Sequence, residues 1–531
     1  MAEIIDLESA ARLVRDRDHV LVGGSGGGHA VPEAWIGALA ERFRTTGRPR
    51  GLALMSVVAL GDWKTTGFSR LAQPGLLRRV VSAGFNNSPA VGAMAAANEI
   101  EAYTLPQGAL SQLCRDMAAG RPGLLTRTGL HTFVDPRLGG GKQSARTTED
   151  LVELVRLHDE EYLFYRAQPI DVAVIRGTTA DERGNVTMED EPYFGEQLSI
   201  AQAARNRGAT VVCQVARLAA AGTLPGKQVK VPGALVDYLV VVPDEWQTYV
   251  TRYDPAYAGA VRRPETALAR LPHDIRKVIA RRAALELFPG AIVNLGFGVS
   301  NGIAPVAAEE GIHREVTLTV EQGIVGGVPA GGNDAGAGHN YDAMIDQPYQ
   351  FDFYDGGGLD IAFLSFAEVD AEGNVNVSRF GRVVNGPGGF VNISQGARKV
   401  VFSGTLTADG LEIRPDEAGG LRLVRDGRTA KWVPAVQQIT FSGRYARTRG
   451  QEVLYVTDRA VFRLGPDGIE LVEIAPGIDL ERDVLGRIGF SVRMPRPPRL
   501  MDARLFRAEP MGIAAEFRQQ RSPRQRRRPE P

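Results

Sequence analysis

One stretch of this chain occurs twice. DVAVIRGTTADERGNVT, from Asp171, aligns without a gap on DIAFLSFAEVDAEGNVN, from Asp360, and both Asp171/Asp360 and Gly184/Gly373 lie 189 residues apart. Each copy reads as a buried strand running into a tight GNV turn, and such self-similarity is the sequence signature of a repeated structural module. A second correspondence lies upstream. ARLVRDRDHVLVGGSGGG and IARRAALELFPGAIVNLGFG both read as helix, buried strand and glycines. The predicted fold is therefore α/β, built as two related open α/β modules in one chain, with the boundary at about residue 270 in the weakly periodic YAGAVRRPETALARLP. The divisions are 1–270, 271–516 and an arginine-rich tail over 517–531, where six arginines between Arg518 and Arg528 predict a solvated, disordered segment.

The rest of the chain fits this grammar. Residues 6–16, the stretch beginning at Pro32 and SIAQAARNRG predict helices. HVLVGG, GLALMSVV, RVVS, TVVCQVA and VDYLVVV predict buried strands. The segment from Leu105 to Lys142 is different: it is glycine-punctuated and shows no clean period. A segment this long without an evident element is usually functional or disordered, and Leu110, Leu113 and Phe133 argue against disorder.

A chain of 531 residues exceeds what one core usually organises. It is 44% apolar and 23% charged with zero formal net charge, so no nucleic-acid footprint is visible and no nucleic-acid partner is expected. Apolar runs fall short of the roughly 20 residues that a spanning helix needs, and the acidic, amphipathic start does not read as a secretory signal. Cys114 and Cys213 form no CxxC or Cys/His cluster, so a reduced cytoplasmic setting without a metal site is expected.

Chemistry concentrates in three glycine loops. VTLTV delivers the chain to Glu321, after which seven glycines fall between Gly323 and Gly338. A glutamate after a strand is ordinarily a solvated surface group, but one entering a glycine loop is little shielded by side chains and can act as a nucleophile toward an activated acyl group. Asn385-Gly386-Pro387-Gly388-Gly389-Phe390 offers consecutive N–H groups, so Asn385, Gly388 and Gly389 are oxyanion or ligand-binding candidates. Gly23–Gly28 joins a strand to a helix and could serve as a structural turn or line a ligand cleft. It is not a dinucleotide fingerprint, because His29 or Val31 stands where GxGxxG needs its last glycine. The loop at Gly296-Phe297-Gly298 fails likewise at Asn301. GxxxxGK[ST] and HExxH are absent.

On these residues the sequence resembles a known family. VEQGIVGGVPAGG, the GNV-containing repeat, NGPGGF, FSGTLTA, LYVTDRAVFRL, LVEIAPGIDLERDV, PQGALSQL and HTFVDPRLGGGK, over about residues 5–513, resemble the fused-subunit family I CoA-transferases of the acetate/propionate type. The resemblance implies that Glu321 is the nucleophile and that a ping-pong reaction passes through an acyl-glutamyl anhydride and a glutamyl-CoA thioester. It implies no cofactor, CoA being a substrate. Its partners are acyl-CoA and short-chain carboxylic acids, with no membrane partner and a homo-oligomeric state. It places Gly26, Gly27, Gly28, Gln107, Gln322 and Gly323 at the acyl or CoA end, and it leads us to expect Glu321 ionised at neutral pH. Gln322 stands where many relatives carry Thr, Ser or Ala, and NDAGAGHN over 333–340 is small and polar where relatives carry an aromatic residue, so acyl specificity is open. Two other readings fit the same residues: an acyl-CoA hydrolase on this scaffold, and a ligand-binding regulator, against which the lack of a DNA-binding motif counts.

Overall fold

The structure is a computed structural model describing residues 2–264, 270–416 and 419–520. Most of the arginine-rich tail, from 521 onward, and residues 265–269 of the expected join lie outside the described residues. Two compact units are present. The first comprises Met1–Arg263, Val320–Asp355 and Ser378–Asn392; the second comprises Pro264–Thr319, Gly356–Val377 and Ile393–Pro531.

The first unit is built on a parallel sheet. Its strand order is Glu3–Ile4, Tyr238–Val241, Thr210–Ala219, Val172–Asp181, His19–Val22, Leu52–Met55, Leu77–Ser82 and Glu101–Thr104. These strands read as continuous apolar runs because a parallel sheet with crossover helices is covered on both faces. Val20, Val22, Leu54, Val80, Val172 and Val174 share one core with Trp35, Ile36 and Leu39 of the helix Glu33–Thr46. That helix begins directly after Pro32 and stops at Gly47, which adopts the left-handed conformation (φ 68°).

The second unit repeats this order on its own sheet. Thr317–Val320, Ile292–Leu295, Ile361–Ser365, Lys399–Ser403 and Glu452–Val456 are parallel neighbours in turn, followed by antiparallel Ala460–Gly465 and Gly468–Ile474. They correspond to Leu52–Met55, His19–Val22, Val172–Asp181, Thr210–Ala219 and Tyr238–Val241 of the first unit.

The repeat extends to single hydrogen bonds. Asp171 takes the His19 N–H on Oδ2 (2.8 Å), and Asp360 takes the Ile292 N–H on Oδ2 (2.9 Å). In the GNV turn, Asp181 Oδ1 accepts the Asn185 N–H and Oδ2 accepts Asn185 Nδ2, both at 3.0 Å. Asp370 and Asn374 form the same pair of bonds at the same distances. Asn185 Oδ1 then accepts the Gly233 N–H (2.9 Å), and Asn374 Oδ1 the Gly443 N–H (3.0 Å). Gly184 (φ 87°) and Gly373 (φ 79°) occupy the left-handed region that makes the turn possible.

Residues 105–142, read from the sequence as without a clean period, hold the helix Gln107–Ala118 and the strand Gly123–Thr126. Ten of the twelve helical residues are buried. Ala109, Leu110, Leu113, Cys114 and Met117 recur at helical spacing, but the polar side, with Gln107, Ser111, Gln112 and Asp116, is buried as well. The strand pairs with Glu160–Arg166, which pairs with Val152–Leu157, to give a small antiparallel sheet. Among the described residues, no helix is long and apolar enough to cross a membrane.

Candidate active site

Glu321 follows the strand Thr317–Val320 directly. The chain then doubles back, because Gly323 (φ 107°) donates its N–H to Val320 O at 3.0 Å and accepts from Ile345 N at 2.8 Å. A Cβ at Gly323 would lie 2.0 Å from Ile345 O, so the residue after Gln322 has to be glycine. The short pair Ile324–Val325 with Ala343–Met344 closes the base of the loop.

The Glu321 carboxylate lies among carboxamides. Gln322 Nε2 is 3.4 Å from Glu321 Oε1, and the Gln107 side chain is near enough to favour the ionised carboxylate. Gln107 begins the helix Gln107–Ala118 and is only 1% exposed. Its Nε2 donates to Gln347 Oε1 (3.3 Å), and its N–H donates to Gly388 O (2.9 Å). Gln107 therefore links the nucleophile candidate to the NGPGGF loop. Part of Glu321 reaches solvent, but packed protein atoms displace most of its water. Burial pushes its carboxyl up to about 7 from the ordinary 4.5, against the smaller lowering effects of Gln322 and Gln107. Against the expectation of an ionised Glu321 at neutral pH stands this burial, which favours the protonated form.

The N–H groups of Asn385, Gly386 and Gly388 are committed to the fold, which removes Asn385 and Gly388, but not Gly389, as backbone oxyanion donors. Asn385 and Gly386 both donate N–H to Ser378 O (2.9 Å each), and Gly388 donates to Ala83 O (2.9 Å). Asn385 O accepts from Phe85 N (2.8 Å) and would lie 2.4 Å from a Cβ on Gly84. Asn385 and Gly388 are therefore anchors of the loop. Gly389 is buried at the start of the helix Phe390–Gly396.

The first glycine loop approaches this chain's own backbone. Gly26 O accepts from Gly61 N (3.2 Å) and Gly27 O from Tyr249 N (2.8 Å), while a Cβ on Gly27 would lie 2.4 Å from Asn333 O and one on Gly28 2.6 Å from Tyr249 N. The 333–340 stretch is fastened here by Asp334. Its carboxylate accepts hydroxyls from Thr248 (2.6 Å) and Thr251 (2.9 Å), and its carbonyl lies 3.3 Å from His29 Nε2. Gly336 then sits where a Cβ would be 3.2 Å from His29 Cε1 and 3.4 Å from Gln322 Cδ. Gly26–Gly28, residues 333–336, Gln322 and Glu321 are in this way connected by direct contacts. The Gly296–Gly298 loop belongs to the second unit, where Ser365 Oγ donates to Phe297 O (2.7 Å).

Sequence reasoning missed several polar residues here. Asn392 Oδ1 caps the Gly108 N–H (3.0 Å), and Asn392 Nδ2 donates to Asp355, whose carboxyl burial raises to about 6. Glu196 is buried against Ser111 and Tyr193. Gln347, Asn392 and Glu196 are isolated polar residues in otherwise unremarked segments, and no spacing marks them. Among the described residues no group of three or more His, Cys, Asp or Glu could hold a metal, and both cysteines are free and buried.

Comparison with known proteins places this geometry. The coenzyme A transferase family model matches residues 4–242. The caffeate CoA-transferase of Acetobacterium woodii is 45% identical over 514 residues, covering 95% of this chain and 98% of that protein. The chain belongs to the coenzyme A transferase family. The acetate CoA-transferase YdiF of Escherichia coli K12 is 42% identical, with 96% of each chain covered. The crystal structure of the YdiF acyl-CoA transferase apoenzyme from E. coli O157:H7 superposes with a TM-score of 0.92 at 42% identity, over 96% of this chain and 97% of that one. A structure of the same enzyme as a thioester complex with CoA gives 0.91 at 41% identity, over 96% and 97%. Membership makes this CoA-transferase an enzyme of the acyl-CoA:carboxylate class on a two-domain α/β scaffold.

Proposed function

We propose that this CoA-transferase moves CoA from a short-chain acyl-CoA to a free carboxylic acid through a glutamyl-CoA thioester on Glu321. The observation that carries the reading is a water-poor carboxylate, between the Gln107 and Gln322 carboxamides, with a pKa of about 7. Removing water from a carboxylate raises its energy and its reactivity toward a thioester carbonyl, while a pKa near 7 keeps a reactive fraction ionised.

In the first step Glu321 attacks the thioester carbonyl; the C–S bond breaks, giving an acyl-glutamyl anhydride and CoA thiolate. The thiolate then attacks the glutamyl carbonyl, forming the glutamyl-CoA thioester and releasing the first acid as carboxylate. The incoming carboxylate reverses both steps and leaves with CoA. Each addition develops an oxyanion, for which the Gln107 carboxamide and the Gly389 amide are the proposed donors; losing one such donor typically costs about 10²- to 10³-fold in rate. The Gly26–Gly28 loop, Gln322 and Gly323 are the proposed lining of the acyl or CoA end. Binding energy from the remote part of CoA supports these steps without contact at the reacting bond.

The relatives act on acids as different as acetate and caffeate by name. For this chain acetate and propionate are the proposed acceptors; in support, Gly336 lies against Gln322 and His29, where a Cβ would be 3.4 Å from Gln322 Cδ and 3.2 Å from His29 Cε1. Incubation with acetyl-CoA or propionyl-CoA alone, borohydride reduction and peptide mass spectrometry should place the modification on Glu321, and Glu321→Ala should abolish transfer. An unmodified Glu321 in active enzyme would sink the mechanism. CoA release without any acid would favour hydrolysis instead.

A further inference from the structure

Glu196 is 1% exposed and stands at the N-cap of the helix Gln197–Asn206, yet its side chain makes no cap bond. Short acceptors such as Asp, Asn, Ser or Thr at an N-cap ordinarily bind their own helix's free N–H groups, which the longer glutamate here does not. This one turns away. Ser111 Oγ donates to its Oε1, and the Tyr193 hydroxyl donates to its Oε2 (2.8 Å).

Ser111 lies four residues after Gln107 on the helix Gln107–Ala118, so both project from one face of that helix. The residue before Glu196 completes a ring: Gly195 O accepts the Gln347 N–H (3.3 Å), and Gln347 Oε1 accepts Gln107 Nε2 (3.3 Å). Glu196 is thereby tied to the helix bearing Gln107 and, through Gly195, to the residue that orients the Gln107 carboxamide. We propose that Glu196 is a positioning residue for CoA transfer, its ionised carboxylate holding the Gln107 end of this helix against Glu321. The proposal rests on Glu321 being the nucleophile.

The ionised carboxylate can accept both hydroxyls at once. Once protonated, one oxygen becomes a donor and a hydroxyl must reorient to receive it, loosening one of the two ties. Burial raises the Glu196 carboxyl to about 7, opposed by the Ser111 and Tyr193 bonds. The charged and titratable groups facing it are Asp346, which raises it further, and Tyr193, which shares its pocket with the Cys114 thiol. Asp346 is itself paired with Lys230 (3.7 Å), whose ammonium lies over the Phe194 ring.

Two carboxylates must then be ionised for full activity. In wild-type enzyme kcat should fall through two ionisations as pH drops from 8 to 5. Glu196→Gln keeps the shape of the protonated form; it should lower kcat at pH 8 by about 10- to 100-fold, leave the acyl-CoA KM within about twofold, and show one ionisation. Ser111→Ala removes one donor to the carboxylate and should move its ionisation to higher pH, which a merely structural serine would not do. Glu196→Gln with wild-type kcat and both ionisations would overturn the proposal, as would Ser111→Ala with an unmoved profile if Glu196→Gln fails to fold. Labelling of Glu321 by acetyl-CoA is followed in parallel. Labelled wild type with an unaltered Glu196→Gln profile overturns only the role of Glu196, whereas unlabelled wild type overturns the nucleophile and this role together.

Discussion

Keeping Glu321 in a water-poor site destabilises the folded chain whenever the carboxyl is ionised. Unfolded, a glutamate ionises near 4.5; here it does so at about 7. Between these values the folded chain holds more protons than the unfolded one, so stability falls as pH rises from 4.5 to 7 and stays reduced above 7. Glu321→Gln removes this term. At pH 8 the variant should be more stable than wild type by about 1–3 kcal/mol, a difference that vanishes below pH 4.5, and it should have no transfer activity; urea denaturation at both pH values checks this. Equal stability at pH 8 would mean that the site is wetter than the geometry indicates. The identity of this residue was legible, because a carboxylate between a strand and seven glycines is uncommon and sits in a specific motif. Its ionisation was not. The groups that set it include Gln107, more than two hundred positions away in sequence, and burial itself has no local signature.

At the scale of the element, the helix Gln107–Ala118 organises the site while being the part least visible in the sequence. Its face carries Gln107 toward Glu321 and Ser111 toward Glu196, and Gln112 and Arg115 reach Asp352. Its apolar stripe, Ala109, Leu110, Leu113, Cys114 and Met117, is short and set among glycine-rich loops, and Gly108 near its start weakens its propensity. The structure explains that glycine. A Cβ at 108 would lie 2.4 Å from both Asn392 Nδ2 and Phe351 Cδ1, two buried side chains. Gly108→Ala gains about 1 kcal/mol of helix propensity but overpacks the contact with Asn392, which also accepts the Gly108 N–H. A net loss of about 1–3 kcal/mol and a fall in kcat larger than the change in acyl-CoA KM are expected, read by thermal melting and steady-state kinetics. By contrast the strands around it were legible, since VAVI, VVC and YLVV are apolar runs of strand length between turn residues.

Over the whole molecule, the repeat that is plain in the sequence survives as two sheets that share the order of five parallel strands and the same Asp-Gly-Asn turn. What a linear reading could not express is compactness: Val320–Asp355 and Ser378–Asn392 lie beyond residue 270 and pack with the first unit, carrying Glu321 and the NGPGGF loop with them. Hydrophobic patterning reports which face of an element is covered, never by which part of the chain. The turns, being closed inside their own units, allow a direct test of the duplication. Asn185 and Asn374 each accept a glycine N–H and donate to the turn aspartate, and alanine at either position leaves both groups without that partner. Asn374 is 5% exposed while Asn185 is partly open to water, which can replace its lost bonds. Asn374→Ala should therefore destabilise by about 1–3 kcal/mol and Asn185→Ala by less. Because the two turns share no partner, the double substitution should equal the sum within about 0.5 kcal/mol in urea unfolding. A larger departure would show that the two turns are coupled, and that the repeated modules are not independent carriers of the same local device.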